Sequence, residues 1–288
     1  MSIAARSFRF GFVPVFALVY GGWAIELSQR GASPPTFALL LLAALATCLA
    51  AERIAPYERA WNRPNGDRGR DAAHVLVNES LAAASVATLP LAYGLFDFPS
   101  NALWPAHWPF GLQVLAALLV LDLGITFTHA ASHRVAWLWR FHAVHHSVTR
   151  MYGPNGILKH PVHQTIEMAV GTLPLLLLGL PRSVACALAV LTALQLLLQH
   201  ANVDVDTGPL RRWHAGAELH RLHHRRAPGR GDVNFGLFTT LGDRILRTLD
   251  LDLAERVADG DLGIEAEPDY PRAYLDQLIR PFRRNAPS

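Results

Sequence analysis

The chain has 288 residues, 51% of them hydrophobic and only 17% charged, with a mean hydropathy of +0.20. Average soluble domains run nearer a quarter charged, so this balance excludes a disordered chain and argues against an ordinary soluble enzyme. The formal net charge of +3 gives no sign of a nucleic-acid binder, and the two cysteines, Cys48 and Cys186, both in apolar runs, exclude a disulfide framework or a cysteine-based metal site.

In chain order, four apolar stretches are long enough to cross a bilayer, which takes about 20 residues. They cover 10–27, 36–51, 79–96 and 110–128, the third containing Pro90. Residues 1–27 read as a first span rather than a secretory leader, because no small-x-small cleavage site follows the apolar core. A fifth apolar region, 166–199, is broken by Gly179-Leu180-Pro181-Arg182. Proline and arginine end a helix there, which predicts a helical hairpin with two short arms. The fold class expected is all-α: a polytopic membrane bundle of about four spans plus this broken hairpin, with a histidine-rich helical cap. Three segments follow: membrane helices in 1–108, a catalytic unit in 109–250 and a polar tail in 251–288.

Arginine placement sets the orientation. Arg6 and Arg9 precede the first span, Arg30 alone follows it, and Arg53, Arg59, Arg63, Arg68 and Arg70 fill the second loop. The loop 97–109 has none, and basic residues return after the fourth span. This alternation puts the N-terminus, the histidine clusters and the C-terminus on the cytoplasmic side.

Of 14 histidines, 12 lie between 129 and 224. They form an H-x3-H cluster (His129, His133) and two H-x2-H-H clusters (His142, His145, His146 and His220, His223, His224). On a helix, positions i, i+3 and i+4 share one face, so each cluster presents its imidazoles together. Chance gives H-x2-H-H only ~0.03 times in a chain of this composition, so two copies point to metal binding. Imidazole ligation suits iron, zinc, copper or nickel. One ion takes about four to six ligands; eight imidazoles therefore imply two ions. The stretch 129–165 has no Asp or Glu, whereas a hydrolytic two-metal site normally carries carboxylates, so the composition favours O2 chemistry. His200 ends an apolar helix, where an ionisable group needs a reason. Asp122 lies inside the fourth span, near the His129 face, where it could orient an imidazole by accepting the ring's free N–H.

These residues resemble the fatty acid hydroxylase/sterol desaturase superfamily of integral-membrane di-iron enzymes, which carries the three clusters in this order. His160-Pro161, His200-Ala-Asn202, Asn234-Phe235-Gly236 and Asp243-Arg244 are similar to further elements of that family. The resemblance covers about 110–250. It departs at Gly242, where the family usually has Trp, and at Arg247, where it usually has Gly.

The resemblance implies a metal-ligand set of His129, His133, His142, His145, His146, His160, His200, His220, His223 and His224. It implies two non-haem iron ions, with zinc as a substitute from ligand type, and O2-dependent hydroxylation or desaturation of a fatty acyl, sterol or related lipid. The chain has no haem-attachment or Gly-x-Gly-x-x-Gly motif, so electrons are expected from a separate ferredoxin or cytochrome b5-type protein with its reductase. Trp23, Phe96, Phe98 and Trp104 are expected to anchor at the interface or line the substrate slot. His163 is expected to support a ligand or face the substrate, and His74, His107 and His214 read as surface histidines. The alternative is a metal-binding or metal-transporting membrane protein without catalysis.

Overall fold

The computed structural model describes residues 3–89, 91, 93, 103–227 and 229–283. Among them there is no strand, only isolated bridges. The main helices are α1 (Ile3–Phe16), α2 (Gly22–Gln29), α3 (Pro34–Ile54), α4 (Arg68–Ala87), α5 (Phe110–Ser132), α6 (Ala136–His146), α7 (Pro161–Leu177), α8 (Arg182–His200), α9 (Ala217–His223), α10 (Leu241–Leu246) and α11 (Tyr274–Ile279). A single π-helical turn, Ala17–Gly21, joins α1 to α2 without a break. Proline sets several starts: Pro34 and Pro161 sit in first turns, and Pro109 and Pro181 immediately precede α5 and α8. The locked φ suits a first turn, where the missing N–H has no partner to lose.

Among the described residues, four helices are long and apolar enough to cross a membrane: Ala5–Gln29, Pro34–Ile54, Phe110–Ser132 and Arg182–His200. Three match the first, second and fourth expected spans. The fourth is the second arm of the expected hairpin, while α7 has 17 residues and contains Pro174. Gly179, with φ +86°, makes the left-handed turn between the two arms. The expected span 79–96 begins inside α4, which starts eleven residues earlier at Arg68. Phe96, Phe98 and much of its second half lie outside the described residues. Trp23 is exposed, as an anchor facing lipid would be, and Trp104 is buried, donating to Gln113 Oε1 at 2.6 Å.

The central element is α8, 72% buried against 22% for Ala5–Gln29. It touches α2, α3, α4, α5 and α9. Within hydrocarbon, burying an apolar side chain between helices brings no hydrophobic gain, so close packing must hold them. The most extensive helix contact is α5 on α7, and there a Cβ on Gly124 would lie 2.6 Å from Gly171 Cα. Backbones that close leave no room for a side chain.

At one end of the bundle a cap forms from the α3–α4 loop, α6, the segment 147–160, α9, α10 and the tail. Water contacts this part, so apolar burial contributes about 25 cal/mol per Å². Trp61, Met151, Leu222, Val257 and Leu262 make one such cluster. Arg150 ties the cap together, donating to both oxygens of Asp67 at 2.5 and 2.8 Å and to Trp61 O at 2.7 Å.

Candidate metal centre

Nine of the ten expected ligands converge where α5 and α8 end against α6 and α9. They form two groups, His129, His133, His142, His146 and His223 in one, and His145, His200, His220 and His224 in the other. Within each, one ring nitrogen per residue lies within 4.8 Å of all the others. The helical spacing explains the division. The i, i+4 pairs 129/133 and 142/146 serve the first group, and 220/224 serves the second. The middle histidine of each H-x2-H-H cluster crosses over: His145 joins the second group and His223 the first. The groups abut, with the His146 and His224 ring centroids 4.7 Å apart.

In five of the nine rings a hydrogen bond fixes which nitrogen carries the proton. His129 Nδ1 faces Phe235 O at 2.9 Å, His145 Nδ1 faces Leu158 O at 3.0 Å and His223 Nδ1 faces Val233 O at 3.0 Å. His200 Nδ1 faces Leu196 O at 3.2 Å and His133 Nδ1 faces Asp232 Oδ1 at 3.0 Å. These oxygens only accept, so each Nδ1 donates and each Nε2 turns a lone pair inward. His129 Nε2 and His223 Nε2 have no hydrogen-bond partner among the described residues. Burial also pushes His142, His145, His146, His220, His223 and His224 well below the ordinary histidine range, and neighbouring imidazoles push them further. Neutral rings are the metal-binding form.

The donor set fits metal ions and fits little else. His200, His220 and His224 Nε2 stand 3.1, 3.1 and 3.2 Å apart in a triangle. Three imidazoles that close cannot satisfy one another, since each neutral ring has one proton. A circle through the three nitrogens has a radius of about 1.8 Å, close to the ~2.0–2.1 Å of a metal–imidazole bond, so these three residues could hold one ion. Leaving such groups buried and unpaired costs about 1–3 kcal/mol each. Among the described residues the one carboxylate touching a ligand is Asp232, held below the usual carboxylate range by its hydrogen bond from His133.

His160 does not join them. Its Nδ1 accepts from Val162 N–H at 3.1 Å, capping α7, and its Nε2 lies 3.1 Å from Leu278 O. Both nitrogens are used, so the ligand set that the geometry supports has nine members. Asp122 does not touch His129 either. Its carboxylate accepts the backbone N–H groups of Leu237, Phe238 and Thr239 at 3.2, 2.8 and 3.1 Å. Asp243 accepts from Phe235 N–H and Gly236 N–H at 2.8 and 2.9 Å. Two buried carboxylates thus hold the turn whose Phe235 carbonyl orients His129. Asn155, Asn202 and Asn234 likewise bond backbone groups rather than imidazoles.

One buried ion pair escaped the sequence reading. Lys159, the single lysine of the chain, is buried with its Nζ 2.6 Å from Glu167 Oε2. His163 is buried beside them, with Nε2 2.8 Å from Ser132 Oγ and its ring 4.6 Å from that of His142. The signal available was a lone Lys and an acidic residue at the edge of an apolar run. His74 is buried, not on the surface, against Lys159 O and Gln277. His214 is half-buried, and His107 is exposed. Gly242 is explained by α10 lying directly on α5, because a Cβ there would meet Thr126 Cγ2 at 2.5 Å. The centre opens through a cavity of about 430 Å³ walled by His133, His146, His223, Trp139, Arg134 and Asp232.

The family model for fatty acid hydroxylase matches residues 114–248, which contain every histidine of both groups. The chain is 33% identical over 255 residues to the ornithine lipid hydroxylase OlsE of Rhizobium tropici, covering 86% of this chain and 76% of that protein. The chain belongs to the fatty acid hydroxylase family. A second relative, the alkylglycerol monooxygenase of Danio rerio, is 32% identical over 148 residues, half of this chain and 31% of that protein. No solved structure matches. As a fatty acid hydroxylase family member, with relatives named as a hydroxylase and a monooxygenase, the chain is an integral-membrane oxidoreductase of the hydroxylase type.

Proposed function

We propose that the chain is a non-haem di-iron oxygenase that hydroxylates an unactivated C–H bond of a membrane lipid. Two abutting, buried, carboxylate-free imidazole groups carry this reading. His129, His133, His142, His146 and His223 would hold one ion, and His145, His200, His220 and His224 the other. Iron supplied with O2 and two electrons provides the oxidising power for such a bond. The protein orients the ligands through the carbonyls of Phe235, Leu158, Val233 and Leu196 and the carboxylate of Asp232. Burial keeps water from all but the open side of the first group. One oxygen atom enters the lipid and the other leaves as water, taking up two protons. The electrons come from a separate ferredoxin or cytochrome b5-type protein. The arginine alternation favours a cytoplasmic centre, where such donors are available. The name of the relative matched over 86% of the chain makes an ornithine-bearing lipid the first substrate to try.

Metal content per chain on anaerobically purified protein tests the site, with His145→Ala and His223→Ala alongside. Two irons per chain are expected, with each variant losing iron from its own group. No metal, or one ion indifferent to both substitutions, overturns the reading. Incorporation of one atom from labelled O2 into an ornithine lipid then tests the reaction.

A further inference from the structure

Beneath the histidines lie two adjoining cavities that share part of one wall. The outer one, about 560 Å³ and largely apolar, sits between α3, α4, α8 and the α2–α3 turn. Small side chains keep it open: Ala38 on α3, Ala82 and Ala83 on α4, and Ala189 on α8. The inner one is an enclosed pocket of about 30 Å³ that shares Glu79, Ala82 and Ala189 with the first. Along α8 the two run from Arg182 to Leu196, about 21 Å at 1.5 Å per residue. That is most of the ~30 Å hydrocarbon thickness of a bilayer.

The wall of the inner pocket comes within one helical turn of a histidine from each group. Ile125 in its wall precedes His129 by one helical turn, and Leu196 precedes His200 by one turn and holds that ring through its carbonyl. The outer chamber, though mostly apolar, carries Glu79 and Arg182 in its wall, and the inner pocket has polar walls too. Lys159 and Glu167 line it, and Glu167 Oε1 and Thr192 Oγ1 are buried without a partner among the described residues. Glu167 is 2% exposed and Thr192 8%. A pocket of this size holds about one or two waters, or one small polar group. A mostly apolar chamber ending in unpaired acceptors has the shape and polarity of an amphiphile.

We propose that these cavities bind the substrate lipid, the outer chamber taking one hydrocarbon chain and the inner pocket a hydrogen-bond-donating group at the polar end of that chain. The proposal rests on the lipid hydroxylase reading above. Ala189, at the neck, sets access, and Thr192 and Glu167 receive the donor.

Ala189→Trp fills the neck and Ala189→Leu narrows it, while Leu115→Trp, exposed on α5 and outside both cavities, serves as control. Three quantities are read in membrane-reconstituted protein: metal per chain, co-purifying lipid by native mass spectrometry, and product from lipids of graded chain length. Ala189→Trp is expected to keep its metal, lose the bound lipid and turn over long-chain substrate at least tenfold more slowly. Ala189→Leu shifts preference toward shorter chains, so the test survives if the Trp variant misfolds. Thr192→Val raises KM several-fold at unchanged metal content. Wild-type turnover and chain preference in both Ala189 variants overturn the chain site, even if a bound lipid is lost, since that lipid would then be structural. An unchanged KM in Thr192→Val overturns the polar end. If the wild type oxidises no lipid, the hydroxylase reading fails by itself, and lipid retained by the wild type but lost from Ala189→Trp still reports the chamber.

Discussion

A neutral imidazole has one proton and one lone pair, and at five of the nine histidines a single neighbouring oxygen decides which nitrogen has which. Four of those oxygens are backbone carbonyls, invisible to any motif because every residue has one. The fifth is Asp232, whose side chain is 58% exposed, so its removal should leave stability within about 0.5 kcal/mol. Asp232→Ala is therefore expected to lower metal affinity or turnover about 10–100-fold with an unchanged melting profile. Metal titration beside a thermal melt checks both halves, and equal affinity would show that His133 needs no orientation from outside. Arg247 illustrates the opposite case, a residue that works against its backbone. Its φ of +60° is left-handed at the end of α10, the position where the family resemblance expects Gly. A non-glycine residue there costs about 1–2 kcal/mol, so Arg247→Gly should raise stability by about 0.5–1 kcal/mol after the entropy of glycine is offset. A lower thermal midpoint in that variant would mean that the arginine side chain contributes more than its backbone costs.

At the scale of elements, spacing told which histidines share a helix face and could not tell which of two ions each would serve. The crossing of His145 and His223 depends on how α6 and α9 meet, and that is set by contacts far apart in sequence. His160 shows a motif read too far: His-Pro also describes a helix start, and there the imidazole became the cap of α7. Asp122 was recognised as a carboxylate that needed a purpose, but the amides it serves are more than a hundred residues away. The α3–α4 loop is fixed by a pair of the same long-range kind, Asp67 and Arg150. Burial raises the Asp67 carboxyl, but the Arg150 hydrogen bonds and charge outweigh it and hold the group below its usual 3.8. A depressed carboxylate stabilises the fold fully above its unfolded value, near pH 4, and the contribution fades as pH falls through the lower folded value. Breaking a buried pair from one side costs about 3–5 kcal/mol. Asp67→Asn should therefore melt well below the wild type at pH 7, and the gap should narrow as the pH drops below about 4. A gap independent of pH would assign the loss to packing rather than to the carboxylate charge.

For the whole molecule, length and apolarity were enough to find three of the four candidate spans among the described residues, because a helix of about 20 apolar residues has few other uses. They were not enough to rank them. That α8 is the enclosed helix follows from its contacts on five sides, whereas its composition differs little from its neighbours. The direction of the bundle is the remaining large-scale property, and arginine distribution bears on it directly. Arg30 and Arg63 are both exposed and flank α3 at opposite ends, so they report opposite faces of the membrane. Cys48 is buried and Cys186 half-buried; with both replaced by Ala, Arg30→Cys and Arg63→Cys become the only thiols. A membrane-impermeant maleimide should then label Arg63→Cys in inside-out vesicles and Arg30→Cys in right-side-out ones. The loop of Arg63 is bound to the cap by Asp67 and Arg150, so the first result places the histidine groups on the cytoplasmic side, within reach of a soluble electron donor. The reverse pattern would put them on the other face, and the electrons would have to come from a donor outside the cytoplasm.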